Sequence, residues 1–143
     1  MSDLTSTKID FLKKLGTQET RHSGGTLFDH LVGVSEILKN MDAPQYVQDA
    51  GLYHSIYGTD VFHHQTTSDR GVVQGIIGEK AEHLVYLFCI LGRETNRKTE
   101  IFEVSDKQIR KDLMLIDYAN QEEQNTREMM TLEERNDDIR GSL

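Results

Sequence analysis

The chain has 143 residues, 36% of them hydrophobic and 28% charged, which suits one domain that buries roughly two thirds of its unfolded surface and leaves no room for a second. A net charge of −8 argues against nucleic acid as a general partner, because neutralising phosphates needs a basic surface. The single Cys89 excludes an intrachain disulfide, and no stretch approaches the roughly 18 apolar residues of a membrane span, so the chain reads as cytoplasmic, with no membrane partner.

Apolar residues recur at helical spacing along most of the chain. Ile9, Leu12 and Leu15 define a short first helix closed by Gly16, and Leu27, Leu31, Val34, Leu38 and Met41 form the apolar stripe of a second, with His30 beside it. A third helix starts at Pro44 and runs through Val47, Ala50 and Gly51 to His54. Gly58 to Thr67 reads as a loop; because His63 and His64 are adjacent, at most one of them can reach a given ion. Ser68 or Asp69 caps a helix carrying Val72, Val73, Ile76 and Ile77, which Gly78 ends. The most apolar helix follows, from Glu79 to Leu91, stopped by Gly92; it holds Cys89 as a buried structural thiol and His83 near its polar edge.

Between residues 93 and 104 the helical pattern breaks, and KTEIFEV alternates as a short extended segment or two-stranded ribbon does. Ser105 with Gln108 makes a capping box for a long last helix through Ile109, Leu113, Ile116 and Asp117. Residues 121–143 carry seven Asp and Glu against three Arg and read as a solvated acidic terminal helix or tail. The fold class expected is therefore all-α, a single helical bundle over residues 1–143.

His30, His54 and Asp117 fall on three separate helices, and Asp117 lies on the apolar side of its helix beside Ile116. A carboxylate buried there needs a partner. A divalent cation held by His30, His54 and Asp117 supplies one, with imidazole and carboxylate donors that suit Mn, Fe or Zn. Tyr57, one turn from Tyr53, can wall a pocket there. Asn120, one turn after Asp117, is placed to hydrogen-bond a ligand.

These residues also sit in motifs. R-H-S-G-G-T-L-F-D-H spans Arg21 to His30, and from His30 a separation of 24 residues leads to His54 in AGLYHS; IIGEKAEHLVYL and LIDYAN follow. The arrangement resembles the HD-domain superfamily of all-helical metal-dependent phosphohydrolases, and most closely the RelA/SpoT-type domains that remove pyrophosphate from guanosine tetraphosphate. The resemblance covers roughly residues 17 to 124. It implies His30, His54 and Asp117 as metal ligands and Arg21 as a contact to a nucleobase or phosphate, with His22 in place of the family's lysine.

Two departures bear on the chemistry. Ser55 stands where the family has the aspartate after the metal histidine, and Gly58-Thr59 replaces its catalytic acidic pair, leaving Asp60 one position later. On this reading Asp60 and Ser55 carry the catalytic role, and Arg21, His22, Tyr57, Thr59 and Asn120 contact substrate. The activity expected is metal-dependent hydrolysis of a small phosphorylated molecule or nucleotide. Two alternatives remain open: an HD-fold ligand-binding or interaction protein without catalysis, and a non-haem iron oxygenase, since two histidines and a carboxylate also bind iron in oxygenases.

Overall fold

The structure is a computed structural model that describes residues 2–22, 25–58 and 65–141, with side chains described from residue 6 to residue 129. Seven helices and one two-stranded ribbon make up the described residues: α1 (Ser2–Lys14), β1 (Arg21–His22), β2 (Gly25–Thr26), α2 (Leu27–Asn40), α3 (Gln45–Leu52), α4 (Arg70–Ile77), α5 (Glu79–Ile90), α6 (Arg97–Phe102) and α7 (Lys107–Gly141). The class is all-α, as the periodicity indicates. None of the described helices is long and apolar enough to cross a membrane.

The buried stripe of α2 is Leu27, His30, Leu31, Val34 and Leu38, so one face of this helix contributes both core and an imidazole. Thr26 opens it by accepting a hydrogen bond from the Asp29 amide at 3.1 Å. α3 crosses α2 closely because Gly51 has no side chain: a Cβ there would collide with Leu38 Cδ1 and lie 3.3 Å from Val34 Cγ1. Leu113, Ile116 and Ala119 of α7 close the core from the other side, with Val85, Phe88 and Cys89 of α5. Polar ties pin the periphery, among them Lys8 to Asp49 at 2.9 Å and the Tyr46 hydroxyl donating to Asp112 at 2.6 Å.

Three local expectations differ from what is found. The ribbon joins Arg21 to Thr26 and His22 to Gly25, within the R-H-S-G-G-T motif, whereas residues 97–102 are helical. There the Asn96 side chain accepts from the Thr99 amide at 2.9 Å, and a cap of that kind outweighs an alternation only a few residues long. α3 stops at Leu52, and residues 53–57 continue as tight turns, which leaves His54 on a turn instead of a helix. The last helix is capped by Asp106, whose Oδ1 accepts from the Ile109 amide at 3.0 Å, so Ser105 is not the cap.

Gly78 serves both as the last cap of α4 and the first of α5, with φ +92°, a conformation that L side chains rarely adopt. α7 is 35 residues long, about 52 Å at the helical rise, and carries the acidic segment as a continuation of the same helix that packs on the core.

Candidate functional site

Buried polar residues concentrate at one place between α2, the turn after α3, and α7. His30 is fully buried, His54 is 2% exposed and Asn120 8% exposed. Their polar atoms converge: His30 Nε2 lies 2.8 Å from Asn120 Oδ1, His54 Nε2 lies 3.1 Å from the same oxygen, and the two Nε2 atoms are 3.4 Å apart.

The other nitrogen of each ring is already assigned. His54 Nδ1 donates to the Gly51 carbonyl at 2.8 Å, which fixes its proton on that side and makes Nε2 a lone-pair donor toward the centre. His30 Nδ1 contacts Glu123 Oε1 at 2.6 Å. Burial alone would raise the Glu123 carboxyl, but hydrogen bonds from His30 and Arg127 outweigh burial and bring it below its usual value. An ionised carboxylate only accepts, so His30 Nδ1 is the donor. Two Nε2 atoms and an amide oxygen then face one another, each able to offer a lone pair. With the amide in this orientation, a proton or a cation between them lets three such atoms converge in a buried site; with the amide reversed, its two N–H groups do so.

Burial, and then the neighbouring His30, push His54 well below the ordinary histidine value. His22 stacks on the face of His30 with ring centroids 4.1 Å apart and planes 17° apart, and burial followed by His30 lowers it to about 4. His22 is therefore uncharged at neutral pH and supports the His30 ring without a fixed charge. Phe88 packs edge-on against His54 at 5.2 Å between ring centroids and carries the Arg97 guanidinium over its face at 4.4 Å.

The structure brings His30, His54 and Asn120 together with His22, and does not bring Asp117 into that group. Asp117 Oδ2 accepts from Gln121 at 3.1 Å, and its Oδ1 lies 3.7 Å from Arg97 Nη1, so the buried carboxylate has an arginine as its counter-ion. Among the described residues, no three His, Cys, Asp or Glu side chains form a group that could hold a metal ion; the polar side chain that joins the two imidazoles is the Asn120 amide. Arg21 is exposed on β1. Tyr57 is buried, and its hydroxyl donates to Glu82 at 3.3 Å. Ser55 follows His54 with its Oγ buried and without a hydrogen-bond partner among the described residues. Thr59, Asp60, His63 and His64 lie outside the described residues. Cys89 is structural in its surroundings: its Sγ contacts the His54 carbonyl at 3.1 Å, and burial pushes the thiol up to about 12.

The donors that do converge fit a divalent cation. Bonds of about 2.1 Å put neighbouring donors about 3.0–3.4 Å apart around a metal, close to the 2.8, 3.1 and 3.4 Å found. In addition, each imidazole donates its remote N–H to a carboxylate or carbonyl, the outer arrangement that metal-bound histidines adopt.

Sequence reasoning missed Glu123, Arg127 and Arg97. Ile116, Asn120, Glu123 and Arg127 follow one helical face, a signal the sequence contains, but Glu123 and Arg127 fall within the acidic segment 121–143, whose charge masks it.

Neither a curated protein nor a solved structure matches the chain. A family model described as "Domain of unknown function (DUF6817)" matches residues 11–93, a span that holds His22, His30, His54 and Ser55 and stops before Asn120 and Glu123. The chain belongs to that family.

Proposed function

We propose that the chain is a metal-dependent hydrolase of a small phosphorylated molecule, a nucleotide being the class suggested by its resemblance to RelA/SpoT-type hydrolase domains of the HD superfamily. The ligands are His30 through Nε2, His54 through Nε2 and Asn120 through Oδ1. The observation that carries this reading is the convergence of these three atoms while both Nδ1 protons are engaged elsewhere. Mn, Fe and Zn all accept such donors.

A divalent cation at this position polarises a phosphoryl oxygen and lowers the pKa of bound water. The chain's own residues prepare the site. Glu123 and the Gly51 carbonyl hold the two rings in one orientation, and His22 and Phe88 exclude water from two sides. The exposed Arg21, beside His22 on β1, provides positive charge for an anionic substrate, while Arg97 balances Asp117. Ser55, in place of the family's aspartate, leaves the donor set neutral, which raises the effective charge of a bound cation.

A binding protein without catalysis is the second reading, favoured by the same amide. Reversed end for end, Asn120 would donate one N–H to each Nε2 and satisfy both imidazoles with no cation. The test is phosphate release from a panel of nucleotide phosphates with Mn or Zn, in wild type and His54→Ala. The hydrolase reading requires metal-dependent release that disappears in the variant. Nucleotide binding without turnover in wild type favours the binding protein, and iron retained after aerobic purification with oxygen uptake favours an oxygenase.

A further inference from the structure

The His30 ring is held by a chain of contacts that ends outside the centre. Arg127 donates to Glu123 through Nη2 to Oε2 at 2.8 Å and through Nε to Oε1 at 3.3 Å. Glu123 in turn accepts from His30 Nδ1 at 2.6 Å. Both partners come from α7 at i and i+4, so their mutual geometry is set by the helix itself.

Two glycines provide the space. A Cβ at Gly33, on α2 one turn from His30, would lie 2.7 Å from Glu123 Cγ; one at Gly25, on β2, would lie 2.6 Å from Arg127 Nη1. The end of Arg127 can swing aside. Glu123 Cγ cannot, because it is close to its own backbone and its carboxylate is tied at both oxygens.

We propose that Glu123, clamped by Arg127, is the positioning residue of this site. It keeps the proton of His30 on Nδ1 and aims the Nε2 lone pair at His54 and Asn120, and Gly33 is the gap through which it reaches the ring. The consequence for metal rests on the cation site proposed above; the tautomer does not.

The test uses Glu123→Gln. A glutamine has the same shape but one acceptor and one donor group. Arg127, a donor only, takes the amide oxygen, which turns the NH2 toward His30 Nδ1 and moves the ring proton to Nε2. Long-range proton–nitrogen NMR of the metal-free, labelled protein reads the tautomer directly, with the His30 signals assigned by their loss in His30→Gln. Zn²⁺ titration by calorimetry reads the consequence.

The expected result is a proton on His30 Nδ1 in wild type, an Nε2–H tautomer in Glu123→Gln, and Zn²⁺ bound about 10–100-fold more weakly by the variant. A tautomer switch in Glu123→Gln together with a wild type that binds no Zn²⁺ would support the positioning role and overturn the cation site. An unchanged tautomer and unchanged Zn²⁺ affinity in Glu123→Gln would overturn the positioning role while leaving the cation site intact. Should Glu123→Gln fail to fold, Gly33→Ala displaces the carboxylate without removing it and is read the same way: loss of the Nδ1 hydrogen bond and weaker Zn²⁺ binding support the role, and wild-type values for both overturn it.

Discussion

Asn120→Asp separates a cation site from a hydrogen-bonded network most sharply. The substitution is nearly isosteric and leaves an oxygen where Oδ1 now lies 2.8 and 3.1 Å from the two imidazole Nε2 atoms. At a cation site, the third donor changes from a neutral amide to a carboxylate. Interactions with a charged group exceed those with a neutral one by about 1–2 kcal/mol, which is roughly a tenfold gain in metal affinity. Under saturating metal, tenfold tighter binding adds about 1.4 kcal/mol to the stabilisation by metal, an additional rise of about 3–6 °C in Tm for a domain of this size. The assay is thermal unfolding of both proteins at pH 7.5, each with chelator and with 1 mM Mn²⁺. The decisive quantity is the difference between the two metal-induced shifts, so any change in the metal-free variant cancels. A shift in Asn120→Asp no larger than in wild type would refute the assignment of Asn120 Oδ1 as a ligand.

Further predictions concern the surroundings of the centre. His22, lowered to about 4, and His54, lowered well below the histidine value, both bind protons more weakly folded than unfolded. Their contribution is therefore complete above about pH 6.5 and lost as pH falls toward 4. Tm should decline from pH 7 to pH 5, less steeply in His22→Gln, and a flat or rising profile would contradict the buried, uncharged state of these rings. Gly51→Ala should destabilise by about 1–3 kcal/mol in urea denaturation, because its Cβ collides with Leu38 and the α2–α3 crossing must open; an unchanged midpoint would mean that crossing is looser than described. Ser55→Ala should leave stability within about 1 kcal/mol of wild type, or raise it, since the removed hydroxyl has no partner among the described residues; a larger loss would reveal a partner for Oγ.

Much of the framework was legible in the sequence because it rests on local signals. Leu27, Leu31, Val34 and Leu38 of the α2 stripe, the glycine stop at Gly78, and Asp69 as the cap of α4, one of the two residues the pattern offers, depend on a few neighbouring residues and are found, whereas Met41, expected on the stripe, ends α2 as its exposed cap. The ribbon at residues 21–26 was not legible, since two residues on each side carry no alternation, and the extended reading of 97–102 failed against the Asn96 cap. At the site, the spacing from His30 to His54 marked two residues that do meet. Which face of α7 meets them depends on the phase of a long helix relative to α2, a tertiary quantity. A shift of three residues along α7 separates Asp117, paired with Arg97, from Asn120, placed between the imidazoles. The Glu123 contact was hidden for the same reason, and because a charge near the end of a chain reads by default as solvated.

The most direct test of the central claim is elemental analysis of freshly purified wild type beside His54→Ala, Asn120→Ala and Asp117→Ala, before and after incubation with Mn, Zn and Fe under reducing conditions. The account predicts near-stoichiometric transition metal in wild type and in Asp117→Ala, and its loss in His54→Ala and Asn120→Ala. Metal in none of the four proteins, or metal that vanishes in Asp117→Ala while persisting in Asn120→Ala, would contradict it.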